Sequence, residues 1–518
     1  MPTVDSTDTR ECHKCIVVSC SQTRYHVVRA AAVSLGYYVE DEGRNDIPTN
    51  YHNIQLQPEA QRLSNKMQGL CRNYEASTSP QIIWLDKSVL PARVAALSCR
   101  HRINHFPGMH VIARKATLFR RLMRIRRSHE LSHRLRRTLC SFPWSFAAAT
   151  ETPLLERFIA EMGQQSQFFI LKPNKGCQGK GIMVTPEPLH VLERMPRDHR
   201  DEYLVQLYIT PPLCIDRKKF DLRIYVLITS IVPGCVPRHG RRTCASPKPK
   251  EDDVYGSLNG LQLFVHSEGL VRICAEEFAA PDRTNCDQAS VHLTNYAINK
   301  LVDGFSIGTV PAAGSNDCGI GEGNKRDFAF LCKYINDLSI ASQAEDDEVE
   351  FSSNAVVTQW DRVLYRIDRC IMLTILSGLE ELRREFVGSG ASRGARSDGR
   401  NCFELLGFDI MLTEELLPVL MEVNHSPSLF CESDFDFATK HQVVMDVFRV
   451  LEPHLPSLEQ CDDASYAAYQ ATTAACADDS SGTGFRRISP SRASSGVEWC
   501  EEDRQIFDEM LRHAVKLR

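Results

Sequence analysis

Two short apolar runs in the C-terminal part of the chain constrain its fold more than any other feature. They cover residues 405–412 and 417–423 and flank a polar turn at 413–415, a pattern typical of a buried β-hairpin. Buried strands need a large core around them, and 518 residues are enough for two or three closely packed lobes. The hydrophobic fraction of 43% and the charged fraction of 25% are those of a globular chain.

Both runs carry oxygen ligands where a core strand would be apolar. Asp409 interrupts the first run, and Glu422 and Asn424 stand two apart at the end of the second, so that they point to one face of the sheet. A buried carboxylate needs a partner, and Mg²⁺ binds carboxylate and amide oxygens while keeping positions for phosphate and water. The pattern therefore predicts a Mg²⁺ site. The alternative is a strand end with a hydrogen-bonded Asp and a turn-side Asn.

A glycine-rich stretch at 168–184 lies between two apolar runs and predicts a strand, a flexible loop and a second strand. It does not open a helix, as a Walker loop or a dinucleotide fingerprint would. Glycines let backbone N–H groups fold over phosphates, and lysines offset phosphate charge. The residues available for this are Gly176, Gly179, Gly181, Lys172 and Lys180. The alternative is a glycine turn without a ligand.

An alternating stretch at 218–228 predicts a strand with two different faces. Lys219, Asp221 and Arg223 alternate with apolar residues, so one face is apolar and the other carries a row of alternating charge. This row is either the floor of a nucleotide site or a solvated sheet surface. A further strand is predicted at 205–209.

The segment 92–139 is strongly basic, although the whole chain has a net charge of −5. Glu130 is its only acid, against thirteen Lys and Arg residues, and so many like charges would repel one another. We therefore expect an anionic partner, either nucleic acid, a membrane surface or an acidic peptide. Nucleic acid fits least, because few aromatic side chains are interleaved for base stacking. The alternative is a solvated helix face.

Other patterns outline the rest of an α/β chain and its setting. Predicted elements are a strand at 16–19, a helix at 25–35, a strand at 82–85, a helix through 360–375 and a terminal helix at 501–517. The twenty cysteines are scattered singly, which indicates reduced thiols and not disulfides. No apolar run reaches the ~18 residues of a membrane helix, and the N-terminus is no signal peptide, so a cytosolic protein is expected.

Together these signals describe a site with a phosphate-covering hairpin, a charged row and metal ligands, which fits ATP-dependent activation of a carboxylate. Neither a Ser-His-Asp elbow nor a kinase catalytic loop is evident. Five motifs, in order, then resemble the tubulin tyrosine ligase-like family over residues 16–451, and are most similar to its polyglutamylase branch. The motifs are Asn104-His-Phe-Pro-Gly-Met109 with Arg114-Lys115, Leu171-Lys-Pro with Gly176-Cys-Gln-Gly-Lys-Gly-Ile182, Lys219-Phe-Asp-Leu-Arg-Ile-Tyr225, His292-Leu-Thr-Asn-Tyr296, and Leu406-Gly-Phe-Asp-Ile410 with Glu422-Val-Asn-His-Ser-Pro-Ser428.

The resemblance implies an α/β (α+β) fold of the ATP-grasp type. It has N-terminal, central and C-terminal lobes, with the nucleotide site between the central and C-terminal sheets. Three lobes are expected: an N-terminal α/β lobe at 15–140 with the basic segment, a central lobe at 141–212 with the glycine-rich hairpin, and a C-terminal lobe at 213–455. The residue patterns add a flexible leader at 1–14, a mostly disordered tail at 456–518 with a short terminal helix, and insertions at 234–255 and 303–324, which are longer than the family leads us to expect.

The resemblance also implies roles for individual residues. Contacts to ATP and the acceptor are expected from Lys115, Lys172, Gln178, Gly179, Lys180, Gly181, Gln206, Tyr208, Ile209, Lys219, Asp221 and Asn295. The expected metal ligands are Asp409, Glu422 and Asn424, and the residues expected to act in catalysis are Lys172, Arg223, Arg272 and Glu422. The residue patterns alone give no sign of Arg272 or Asn295.

The implied activity is ATP- and Mg²⁺-dependent ligation of free glutamate to side-chain carboxylates of tubulin C-terminal tails, through an acyl phosphate. Alternatives are a ligase for glycine or for a non-tubulin protein, and a catalytically silent microtubule-binding protein. The expected partners are tubulin and microtubules, bound through their acidic tails, and not nucleic acid or a membrane. We expect a monomer in the cytoplasm and on the cytoskeleton, with the cilium, axoneme and basal body as candidate locations.

Overall fold

The computed structural model describes residues 16–40, 80–97, 100–163, 167–176, 179–231, 260–306, 323–338, 357–388, 401–455, 482–488 and 499–516. Several expectations from the sequence lie outside the described residues. These are the leader at 1–14, the insertion at 234–255, most of the insertion at 303–324, Gln178 and much of the tail.

The described strands form three sheets. They are β1 (Val17–Gln22), β2 (Tyr38–Glu40), β3 (Ile82–Leu85), β4 (Arg102–Ile103), β5 (Ser145–Ala147), β6 (Phe169–Pro173), β7 (Met183–Thr185), β8 (Tyr203–Leu207), β9 (Cys214–Ile215), β10 (Lys218–Ser230), β11 (Gln262–Ile273), β12 (Lys325–Arg326), β13 (Glu404–Leu412), β14 (Pro418–Asn424) and β15 (Phe485–Arg487).

Helices connect and cover these sheets. They are α1 (His26–Ser34), α2 (Pro91–Ala95), α3 (His110–Ala113), α4 (Lys115–Arg126), α5 (His133–Thr138), α6 (Ala148–Met162), α7 (Pro188–Arg194), α8 (Arg197–Arg200), α9 (Ala289–His292), α10 (Tyr296–Asn299), α11 (Phe328–Asp337), α12 (Gln359–Gly388), α13 (Asp434–Leu451) and α14 (Glu501–Lys516), with short 3-10 turns at Leu139–Ser141 and Glu452–His454.

The first sheet is parallel and the second antiparallel. The first has the order β2-β1-β3-β4, and a parallel bridge from Ile103 to Cys402 connects its edge to the chain just before β13. The second has the order β5-β8-β6-β7, in which β6 and β7 are the two strands that flank the glycine-rich loop. The strand, loop and strand predicted around the glycines are therefore confirmed.

The third sheet is the largest and holds the predicted hairpin. Its order is β12-β11-β10-β13-β14, with β15 on β11 and β9 on β10, and all these pairings are antiparallel. Since β13 and β14 pair directly, the hairpin is confirmed. Every residue of β13 is buried, which places this strand at the centre of the core.

The two faces of the third sheet differ. Phe220, Leu222 and Ile224 of β10 point to one face and share a core with apolar residues of the long helix α12. Alternation along the strand places Tyr225 and Leu227 on the other face, where they share a core with α1 and α13. Lys219, Asp221 and Arg223 belong to this second face, so it is apolar under α13 and charged beyond it.

Two segments from the tail complete the core. β15 pairs with β11, and its Phe485 is buried. Helix α14 begins at Glu501, as the sequence predicts, and ends at Lys516; it buries Ile506, Phe507 and Met510, next to Trp499. Each of these large apolar side chains contributes roughly 1.5–3 kcal/mol through burial. The sequence does not predict β15, because three residues carry too little periodicity.

The mixed α/β class predicted from the sequence is confirmed. The described cysteines are free thiols, as expected; Cys370 and Cys402 lie in the core. Among the described helices, none has a stretch both long enough and apolar enough to cross a bilayer.

Candidate functional site

A row of charged side chains crosses four strands of the third sheet. The register places Asp221 of β10 opposite Arg272 of β11, and Arg223 of β10 opposite Asp409 of β13. Asp409 is in turn opposite Glu422 of β14, next to a bulge. We call Asp221, Arg223, Arg272, Asp409 and Glu422 the charged row. Residues that are up to 201 positions apart in sequence, Asp221 and Glu422, are thus brought together by strand pairing.

Two arginines link the row through paired hydrogen bonds. Arg223 donates from Nε and Nη2 to the two oxygens of Asp409 at 2.6 and 3.1 Å. Arg272 donates to the two oxygens of Asp221 at 2.7 and 2.6 Å, and its Nη2 is also 2.9 Å from Asp409 Oδ2. Such two-point contacts are directional, so they fix the orientation of both guanidinium groups.

Most of the row is buried, which contradicts the alternative of a solvated sheet surface. Asp221 is 6% exposed, Asp409 and the neighbouring Lys219 are each 4% exposed, and Glu422 is part-exposed. Burial alone would raise the pKa of Asp409, but Arg223 and Arg272 hold it below its ordinary value. The same attraction outweighs burial at Arg272 and raises its pKa. Asp409 and Arg272 are therefore charged at neutral pH.

The three predicted metal ligands converge at the end of the hairpin. Asn424 Nδ2 donates to Glu422 Oε1 at 3.0 Å and to Asp409 Oδ2 at 3.4 Å. Glu422 Oε2 lies 2.8 Å from Lys115 Nζ. Two ionised carboxylates and an amide are donors of the kind that Mg²⁺ takes. No group of three His, Cys, Asp or Glu side chains suited to a metal occurs among the residues the structure describes.

Lys172 approaches from the second sheet. Its Nζ donates to Gln206 Oε1 at 2.7 Å, and Gln206 Nε2 donates to Ser145 Oγ at 3.0 Å. Burial, which leaves Lys172 only 4% exposed, lowers its pKa to about 7, and the positive charge of Lys115 acts in the same direction. The ammonium form of Lys172 is therefore less favoured than that of an exposed lysine.

Lys219 of the third sheet contacts the residue that follows β8 of the second sheet. Its Nζ donates to Tyr208 Oη at 3.1 Å and to the carbonyl of His292 at 2.9 Å. Tyr208 Oη and His292 Nδ1 are 3.0 Å apart. Burial and the nearby Lys219 lower the pKa of His292, which favours the neutral imidazole. Two residues further on, Thr294 Oγ1 donates to Asp221 Oδ2 at 2.7 Å and so connects this segment to the charged row.

The glycine-rich loop packs on the segment before α10. Gly179 has φ of +76°, and a Cβ there would lie 2.5 Å from Ile298 Cδ1 and 3.1 Å from Asn295 Oδ1. Only glycine allows this approach of the loop to Asn295. On the other side, Lys115 Nζ donates to the carbonyl of Gly176 at 3.3 Å, so Lys115 contacts both the loop and Glu422.

Some predicted site residues lie apart from this centre. Lys180 and Gly181 follow in the loop, where Lys180 is exposed, and within the described residues no hydrogen bond or ion pair joins Lys180 to the charged row. Ile209 is half-buried just after β8. The sequence analysis missed His292 as a hydrogen-bonding residue, and also Thr294 and Ser145. The first two lie in a motif that carries the resemblance; Ser145 has no sequence signal.

In the basic segment, the structure contradicts the expectation that the many like charges repel one another. Its inner arginines are not short of counterions, because distant parts of the chain supply them. Arg127 Nη1 is 2.8 Å from Glu151 of α6, and Arg121 pairs with Glu381 of α12. Arg126 donates to the carbonyl of Phe142 at 2.6 Å. The expected repulsion is therefore absent on the inner face, while Arg114, Arg120, Arg124 and Arg136 are exposed.

Comparison with known proteins identifies the family. The sequence profile of the tubulin-tyrosine ligase family matches residues 95–235, 254–309 and 342–460. This chain belongs to that family. Every predicted site residue lies inside the matched ranges, from Lys115 to Asn424. The resemblance deduced from the five motifs is thereby confirmed.

Several curated members of the family are similar over most of the chain. Human tubulin polyglutamylase TTLL6 is 29% identical over 447 residues, which cover 86% of this chain and 38% of the relative. Human tubulin polyglutamylase TTLL13 is 30% identical, over 74% of this chain and 37% of the relative. A probable beta-tubulin polyglutamylase of Tetrahymena thermophila is 29% identical, over 71% and 25%. The chain thus spans less than half the length of these relatives.

Proposed function

We propose that this protein is an ATP-dependent ligase that adds glutamate to side-chain carboxylates of tubulin C-terminal tails. The fold is then of the ATP-grasp type, with ATP between the second sheet, which carries Lys172, Gln206 and the glycine-rich loop, and the third sheet, which carries the charged row. The relatives named tubulin polyglutamylases support this substrate pair.

One observation carries the proposal: the space between the second and third sheets, which we call the groove, is lined by more basic than acidic side chains. Five basic side chains surround three carboxylates, Asp221, Asp409 and Glu422; the basic ones are Lys115, Lys172, Lys219, Arg223 and Arg272. The basic side chains stay in excess, four to three, when Lys172 is neutral. Buried charge of one sign needs a counterion, so this surplus favours an anionic ligand such as a polyphosphate and an acceptor carboxylate.

The reaction has two steps. A carboxylate oxygen of the acceptor side chain attacks the γ-phosphorus of ATP, the bond to the β,γ-bridging oxygen breaks, and ADP leaves from an acyl phosphate. The free amine of glutamate then attacks the acyl carbon, phosphate leaves with the carbon–oxygen bonding pair, and the ammonium loses a proton as the amide forms. The chain forms no covalent bond, so its contribution is to position the reactants and to stabilise developing negative charge.

The residues have separate tasks in these steps. Lys115 and Lys172, with the backbone of the glycine-rich loop, hold the phosphates. Gln206, Tyr208 and Ile209 hold the base, while Lys219, Asp221 and Asn295 hold the ribose and the acceptor side. Arg223 and Arg272 orient the acceptor carboxylate. Asp409, Glu422 and Asn424 are the residues that would hold Mg²⁺, which would supply a Lewis acid for the phosphate oxygens.

Two alternatives stay open within this proposal. The transferred amino acid is glycine instead of glutamate, or the acceptor is a protein other than tubulin. A protein that binds microtubules without catalysis is disfavoured by the complete set of charged groups. The same proposal implies a cytoskeletal location, with the cilium as one candidate.

The test is ATP-dependent incorporation of labelled glutamate, with glycine and tyrosine in parallel, into microtubules with and without their C-terminal tails. Glutamate incorporation that needs the tails supports the proposal. Hydroxylamine added in place of the amino acid should trap the acyl phosphate as a hydroxamate. If no amino acid is incorporated although microtubules bind tightly and salt-sensitively, the protein is a silent binding protein.

A further inference from the structure

The segment that follows the metal-ligand strand presents an aromatic side chain to solvent. Residues 425–433 run from Asn424 at the end of β14 to the start of α13. Phe430, within this segment, is 62% exposed. A single exposed phenylalanine needs no explanation by itself, but this one is held in place by buried charges.

A buried lysine fixes the backbone at this position. Lys440 of α13 is 5% exposed, and its Nζ donates to the carbonyl of Phe430 at 2.6 Å. Asp436, in the first turn of α13, compensates that charge at 3.5 Å and also accepts from Lys325 Nζ of β12 at 2.6 Å. Burial of two ammonium groups is costly, so the three-residue cluster restricts where Phe430 can lie.

The same segment is tied to the charged row. A Cβ added to Gly407 would lie 2.9 Å from Pro427 Cβ and 3.1 Å from Arg223 Cδ, so Pro427 packs close to Arg223. Lys325 pairs across the strands with Arg272. Three residues of chain reach at most about 11 Å, which limits the distance between the Cα atoms of Pro427 and Phe430. Phe430 therefore lies within about 11 Å of Pro427, which packs close to Arg223.

We infer that Phe430 contacts the acceptor polypeptide next to the residue that is modified. The inference rests on the proposed function, in which Arg223 and Arg272 orient the acceptor carboxylate. A polypeptide that places one glutamate there must extend outward past the rim of the groove. The ring of Phe430 can pack on its backbone and on the aliphatic part of neighbouring side chains. A free amino acid or ATP has no such extension, so Phe430 serves polypeptide binding alone.

Phe430→Ala tests this, with Leu154→Ala as the matched control, since Leu154 is an exposed apolar residue on α6 in the second sheet's layer. Two acceptors are compared: a glutamate-rich peptide, and one glutamate blocked at both ends. We expect Phe430→Ala to raise KM for the peptide about 5- to 10-fold through lost apolar contact. KM for ATP and for the blocked glutamate should stay unchanged, and Leu154→Ala should match the wild type.

Lys440→Met provides a second variant that leaves the ring in place. Lys440→Met should raise KM for the peptide as Phe430→Ala does. Lys440→Arg keeps the positive charge, so its KM for the peptide should be close to that of the wild type. Equal peptide KM values for Phe430→Ala and the wild type would overturn the inference. If the wild type ligates neither acceptor, the proposed function fails. Binding of the glutamate-rich peptide, carrying a fluorescent label, then decides the inference: weaker binding by Phe430→Ala supports it, and equal binding overturns it.

Discussion

Two clusters of charged side chains on the α13 side of the third sheet look alike but differ in their balance of positive and negative charge. The charged row lies at one end of the sheet, in the groove that Lys115, Lys172 and Lys219 also enter. At the other end, His266 of β11 and Asp446 of α13 are 3.1 Å apart and fully buried. Both clusters pair groups from distant parts of the sequence, so burial and pairing alone do not distinguish a ligand site from a structural contact.

The two clusters differ in whether groups of the protein balance all of their buried charge. Asp446 also accepts from Arg449 at 2.8 Å and from the backbone N–H of Gly484 at 2.9 Å, and Gln442 contacts both of its oxygens. Burial would raise the pKa of Asp446, but these hydrogen bonds lower it to about 2. This cluster is complete and fastens β15 to the sheet. The groove, in contrast, keeps surplus positive charge, which supports the proposal that its remaining partner is an anionic ligand.

The largest expected effect on ligation is at Glu422, which belongs to the charged row. Glu422→Gln keeps the shape of the side chain but removes the charge proposed for metal binding, so ligation should fall by about 10²–10³-fold or more. The melting temperature should change little, because Glu422 is part-exposed, and among the described residues its partners are Lys115 and Asn424, both of which can still hydrogen-bond to a glutamine. Initial rates of glutamate incorporation measure the effect. Normal turnover would contradict the metal assignment.

Removing one charge from each cluster tests the comparison directly. Asp409→Asn leaves Arg223 without its buried counterion and Arg272 with Asp221 alone, and Asp446→Asn weakens the contact to His266. Both should lower the free energy of unfolding in urea, by about 3 kcal/mol for the charge pair of Asp409. Only Asp409→Asn should reduce ligation per folded molecule. Equal loss of ligation in the two variants would mean that the clusters do not differ in function.

Sequence reasoning predicted the parts of the site that obey strand alternation. Asp409, Glu422 and the row from Lys219 to Arg223 are visible because charges recur every second residue in apolar runs. It could not predict which strands are neighbours, so Arg272 was assigned to the site only by the resemblance, and its pairing with Asp221 was not predicted. Contacts such as Lys440 with the carbonyl of Phe430 depend on packing between distant elements and leave no periodic signal. The same limit explains the basic segment, whose inner counterions lie on α6 and α12.

The groove should also take up a proton, at Lys172, when ATP binds. Lys172 has a pKa of about 7 in the free protein, so it is mostly uncharged at pH 8, and phosphates placed beside it would restore its proton. ATP affinity should thus fall by up to about tenfold per pH unit above pH 7 and stay level below it. Calorimetry at pH 8 in two buffers with different ionisation enthalpies measures the uptake. Lys172→Met should abolish it, whereas uptake that persists in this variant would assign the proton to another group.

The smallest expected effect is on microtubule binding by the exposed arginines of α4. Comparing them with the inner arginines distinguishes residues that stabilise the fold from residues available to a partner. Arg120 and Arg124 are exposed, whereas Arg127 pairs with Glu151, which also accepts from the N–H of Ala147 at 2.9 Å. Arg127→Met should cost about 1–3 kcal/mol of stability because it leaves Glu151 partly unpaired. Arg120→Ala with Arg124→Ala should leave stability unchanged but weaken microtubule binding a few-fold at low salt, and less in 0.3 M salt, since exposed charges are screened there. Co-sedimentation at both salt concentrations measures this. Unchanged binding by the double variant would remove α4 from the tubulin-binding surface and leave the groove itself to attract the acidic tail.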